Sequence, residues 1–146
     1  MSLYTLPSLT EEKFYNYITA NYSGSYNVYK SFKINPDLAL PAIMIKAGKF
    51  TEKDDLTNTS VYEGNLTFFV ETQVDDVEDA LTTHDNTVAA IADAMSNLDA
   101  LFNAINQSSG SYHLHFIHNS GFEQDTDGRA FRSKLDYAIY CQTLAY

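Results

Sequence analysis

Residues 62–74 alternate between apolar and polar side chains: Tyr62, Leu66, Phe68, Val70 and Val74 fall on one side, Glu63, Asn65, Thr67, Glu71 and Gln73 on the other. Successive side chains of a strand point to opposite faces, so this pattern predicts a strand with one dry face and one wet face. Such a strand needs pairing neighbours and a second layer over its dry side. Phe69, the one large apolar residue on the wet side, is expected to meet a neighbour.

The covering layer is legible further along. Val88, Ile91, Met95, Leu98, Phe102 and Ile105 step by three and four residues, the spacing of one helix face, with Ala89, Ala92, Ala94, Ala100 and Ala104 filling in between. This predicts a helix from Asp85 to about Asn106, ended by Asn106-Gln107-Ser108-Ser109-Gly110. An earlier helix is expected over 9–22, where Ser8-Leu9-Thr10-Glu11 has the form of a capping box and Gly24 closes the segment.

Strand neighbours are expected at Tyr26–Phe32, at 42–48 opening from Pro41, from Tyr112 to about Asn119, and from Phe131 nearly to the C-terminus. Residues 49–60 are polar and aperiodic and read as an exposed loop or hairpin tip. Ser120-Gly121 and Asp125-Thr126-Asp127-Gly128 carry turn chemistry. The expected fold is α+β: a central, mostly antiparallel sheet of four to five strands flanked by two main helices, in one domain over 1–146.

Charge narrows the function. Between Lys53 and Arg129 the chain has no lysine or arginine but fourteen acids, and the net charge is -10. Binding to a duplex, or to an anionic membrane, draws on Lys and Arg that this chain lacks. No stretch has the roughly 20 apolar residues of a membrane span. The one cysteine, Cys141, excludes an internal disulfide and a cysteine-cluster zinc site, and its place on an apolar strand face reads as a small buried hydrophobe. The N-terminus lacks the form of a signal peptide.

Several clusters invite chemistry. His113 and His115 share a strand face and could chelate a metal, with His118 expected opposite; a polar strand face carrying imidazoles is the simpler reading. Glu123, Asp125, Asp127 and Gly128 resemble the opening of a calcium loop, but Lys134 stands where the bidentate glutamate belongs, so a turn between antiparallel strands is preferred. Asp75, Asp76, Glu78 and Asp79 crowd into a charged run between elements, and Asp54 and Asp55 lie in the 49–60 segment. These six are the expected subunit or partner surfaces. No phosphate loop, nucleophile elbow or cofactor motif is present, and no enzyme activity is expected.

The run Leu40-Pro41-Ala42-Ile43-Met44-Ile45-Lys46-Ala47-Gly48, the alternating strand Leu66–Val74, the alanine-rich helix around Thr87–Ile105 and the closing strand Arg132–Tyr140 together resemble the tail terminator (tail-completion) and neck proteins of long-tailed bacteriophages. The resemblance is one of element order across most of the chain. It implies a non-enzymatic virion protein, assembled in the host cytoplasm, that forms a ring, commonly hexameric. Such a ring caps the tail tube, meets the head-completion proteins, and lets DNA pass without specific binding. Two other readings stand beside it: a small cellular α+β ligand- or protein-binding domain, and a metal-dependent enzyme using His113, His115 and the acids.

Overall fold

The computed structural model describes residues 5–30, 41–56, 59–73, 77–107, 112–126 and 130–144. They form α1 (Leu6–Asn21), β1 (Asn27–Lys30), β2 (Ala42–Leu56), β3 (Thr59–Gln73), α2 (Val77–Ser96), α3 (Leu98–Gln107), β4 (Tyr112–Thr126) and β5 (Ala130–Leu144). The strands make one five-stranded sheet in the order β1-β2-β3-β5-β4, with β1–β2 parallel and every other pair antiparallel. The α+β class and the mostly antiparallel sheet are as expected from the sequence. The described helices pack on one sheet face.

β3 keeps the predicted phase: Tyr62, Leu66, Phe68 and Val70 are buried under the helices, as is Thr72. β5 matches it from the neighbouring position, with Phe131, Leu135, Tyr137, Ile139 and Cys141 buried on the same face. Phe68 and Tyr137 meet edge to face at 5.8 Å. Each fully buried Leu, Ile or Phe in this layer contributes about 1.5–3 kcal/mol by leaving water. Phe69 lies on the opposite face, in register with Met44 and Lys134, so it does meet neighbours.

Four local readings are corrected. Residues 49–56 and 59–60 are strand rather than loop, because β2 and β3 continue pairing to Leu56 and Thr59. The polar composition there belongs to a hairpin arm whose Lys49, Thr51, Glu52 and Lys53 are exposed. Its bulge between Gly48 and Thr51 places Lys49 at φ 54, a left-handed conformation. Second, the capping box does not form. α1 starts at Leu6, Ser8 lies inside the helix, and Pro7 occupies the first turn, where its missing N–H costs nothing. The Glu11 carboxylate instead turns inward and accepts a hydrogen bond from the Ala47 amide at 3.0 Å.

Third, the predicted single helix over 85–106 is two helices, the first beginning eight residues earlier at Val77. Backbone hydrogen bonds continue across Asn97, from Asn97 to Asp93 O and from Leu101 to Asn97 O, so the joint is a bend rather than a turn. Ser96 donates to the Ala92 carbonyl at 2.8 Å, a back-bond that bends helices, and Asn97 Oδ1 faces the Ala100 amide as a cap would. The bend shifts the buried stripe: Ile91, Met95 and Ile105 stay in the core, Leu98 turns out to 46 % exposure, and Leu101 is fully buried in its place. Fourth, Ser120-Gly121 is not a turn, since β4 runs on to Thr126 through an irregularity between Asn119 and Gly121.

Candidate interaction surface

β4 is the outermost strand beside β5, and its first half is rewritten by a bulge between Leu114 and Phe116. Tyr112 and Leu114 point into the core as the alternation requires. The extra residue then reverses the phase, so Ile117 is buried while Phe116 is 47 % exposed. Sequence alternation alone predicts Phe116 inside and His118 on the face opposite His113. The bulge carries Phe116 and His118 to the outer face beside His113 and His115.

On that outer face the His113 and His115 rings meet edge to face at 4.6 Å, and Phe116 contacts His118 at 5.2 Å and Tyr140 at 5.8 Å. His115 Nε2 bonds to Gln142 Oε1. Partial burial and the neighbouring His115 hold the His113 imidazole below its usual value. Among the described residues no three His, Cys, Asp or Glu side chains gather as a metal site would require. The three histidines therefore line a strand as an aromatic and imidazole strip.

A charged ladder crosses the same face. Lys53 Nζ lies 2.8 Å from Glu63, Arg132 Nε donates to Glu71 at 3.0 Å, and Lys134 Nζ lies 3.7 Å from Asp136, which also accepts from Thr67 Oγ1 at 2.7 Å. The hydrogen bond from Lys53 lowers the Glu63 carboxyl's pKa and raises that of the Lys53 ammonium. Glu123 and Asp125 of the calcium-like motif are part of strand β4, in register with Lys134 and Arg132. They stand on extended backbone opposite cations, a poor frame for calcium.

The expected acidic surfaces are distributed differently. Asp54 and Asp55 belong to β2, paired with Val61 and Ser60. Asp75 and Asp76 lie outside the described residues. Glu78 and Asp79 fall in the first turn of α2, with Asp79 exposed, so part of the run opens a helix, where acids favour the dipole. α2 and α3 carry five acids and no base, and Asp79, Asp85, Asp93 and Asp99 face solvent. β4 and β5 hold three acids against two bases. Net negative charge is thus concentrated on α2 and α3, whereas the acids of the sheet stand among lysines and arginines.

Two features escape sequence reading. His84 is fully buried, bonded through Nδ1 to Thr72 Oγ1 and through Nε2 to Ser133 Oγ, both at 2.7 Å, and Thr72 joins Tyr26 OH at 2.5 Å. This chain ties α2 to β3, β5 and the start of β1. Burial lowers the His84 pKa, against a smaller opposing effect of Asp85. A signal existed, since Thr72 and Ser133 are polar residues in dry-phase positions. The second is that Asn106 of α3 receives the Leu114 amide at 2.6 Å and donates to the Leu114 carbonyl at 3.1 Å. Its amide stands in for a strand partner, as Glu11 does beside Ala47.

Cys141 is fully buried and its thiol is pushed up to about 11 by burial, which fits a packing residue rather than a nucleophile. No helix among the described residues is long and apolar enough to cross a membrane. No protein-family model matches the chain, and no curated protein matches it.

Proposed function

We propose that this chain is a structural subunit of a bacteriophage tail terminator or head-tail junction, forming a ring, commonly hexameric in such proteins, that caps the tail tube and meets the head-completion proteins. The observation that carries the reading beyond element order is the segregation of charge. α2 and α3 present acids without a base, while the β4–β5 side of the sheet is close to neutral. A ring that packs subunits through near-neutral sheet edges and turns acidic helices toward a channel lets DNA pass without adhering, because phosphates meet only like charge. The 15-residue strands of β2 to β5, each about 50 Å long, give such a subunit the span of a ring wall.

Light scattering across protein concentrations, followed by electron microscopy of any discrete species, tests it. An annular particle of several subunits with an axial opening supports the proposal. A monomer persisting to the highest soluble concentration counts against it.

A further inference from the structure

β1 and β4 stand at the two ends of the strand order. Their directions and levels are related. One parallel and three antiparallel junctions leave β1 and β4 running in opposite directions. Following the register from strand to strand, Lys30 leads to Ile45, Phe68, Leu135 and Phe122. Asn27 leads likewise to Ala42, Glu71, Arg132 and Asp125. No bulge interrupts any of these rows, so β1 stands level with Phe122–Asp125.

We infer that Phe122–Asp125 of one copy pairs, antiparallel, with Asn27–Lys30 of a second copy, joining the two sheets edge to edge. This rests on the ring reading above and names the surface that makes the ring. A head-to-tail contact closes into a ring only if the operation relating neighbours has no translation along the axis. With strands running along that axis, two edges already at the same level meet that condition.

The side chains suit the pairing. Opposed residues share a face, which sets Asp125 against Asn27 and Glu123 against Tyr29 of the second copy on the outer side. On the helix side Phe122 meets Lys30 and Gln124 meets Val28 of the second copy. Each acid faces a neutral partner, and the lysine faces an aromatic ring that is 51 % exposed in the single chain. A two-fold pairing of β4 with itself centred on Gln124 would set Glu123 against Asp125 of the other copy, a like-charge arrangement that opposes it. Two chains of net charge -10 repel over most of their surface. β1 carries one lysine and no acid, and Glu123 and Asp125 stand opposite Lys134 and Arg132, so these edges can approach. Elsewhere Asn106 occupies Leu114 of β4 and Glu11 occupies Ala47 of β2. Among the described residues no such side-chain cap falls on Phe122–Asp125.

The test uses full-length Asn27→Cys, Asp125→Cys and the double variant, treated with a short bis-maleimide after light scattering of each. Buried Cys141 stays silent. Opposed strand residues have Cβ atoms about 4.5–5.5 Å apart, within the reagent's reach. The expected result is cross-linked dimer when the single variants are mixed, none from either alone, and a ladder from the double variant. A discrete oligomer that gives no ladder overturns this pairing and leaves the ring reading standing. Cross-linking of Asp125→Cys alone replaces it with a two-fold contact and overturns it. Monomers at all concentrations overturn both.

Discussion

Replacing His84 by leucine is the sharpest probe of what holds α2 to the sheet. The imidazole has no solvent exposure and bonds to Thr72 and Ser133 at 2.7 Å each. Leucine fills similar volume but leaves both hydroxyls without their nitrogen. Thr72 retains Tyr26, whereas Ser133, 2 % exposed, loses the partner seen here. An orphaned buried hydroxyl costs about 1–3 kcal/mol, and loss of the second bond about 1 kcal/mol more, so His84→Leu is expected to cost about 2–4 kcal/mol. Adding Ser133→Ala removes the orphan and is expected to restore about 1–2 kcal/mol, since replacing both partners is nearly neutral. The wild-type chain carries a pH signature as well. The folded imidazole has a pKa below its unfolded value near 6.5, so its contribution is fully present above about pH 6.5 and declines as pH falls toward the folded pKa. Urea unfolding at several pH values between 7.5 and 5, on wild type, single and double variants, measures both. A double variant less stable than His84→Leu alone refutes the hydrogen-bond account. Wild-type and His84→Leu stabilities that stay parallel as pH falls refute the titration account.

Leu101→Ala is expected to cost about 2–5 kcal/mol and Leu98→Ala less than about 0.5 kcal/mol in thermal or urea unfolding, because the bend at Asn97 puts the first in the core and the second in solvent. Gly64→Ala would set a Cβ 2.3 Å from the Phe50 ring that lies over it, and a loss of about 1–3 kcal/mol is expected, relieved when Phe50→Ala is added. The Cys141 thiol, buried and raised to about 11, is expected to resist a water-soluble thiol reagent at pH 8 in native protein and to react at once in denaturant.

The sheet was legible where one face is wet and the other dry. β3 and β5 announce themselves by period two, and their phase survives in the fold. The β2–β3 hairpin was legible as one of two readings of 49–60, but the length of its strands was not, because Lys49–Leu56 is charged and aperiodic and its pairing is set by backbone partners, which leave no apolar trace. The helix layer was legible in kind but not in phase, since one serine back-bond and an asparagine at 96–97 rotate the stripe and exchange Leu98 for Leu101. A single bulge did the same to β4, moving His118 onto the face of His113. Periodicity carries no mark of either event. His84 was overlooked because its partners, Thr72 and Ser133, come from strands 12 and 49 residues away.

The Asn106 contact also makes one amide a reporter on a helix. Leu114 N–H sits on an edge strand, yet its acceptor belongs to α3 and not to a neighbouring strand. In hydrogen exchange, an edge amide without a strand partner should exchange freely, while this one is protected for as long as α3 stays docked. Its exchange rate therefore times the lifting of α3 from the sheet. The amide of Ala47, held by Glu11, does the same for α1. Two backbone protons, read in one experiment, separate the loosening of one helix from the loosening of the other.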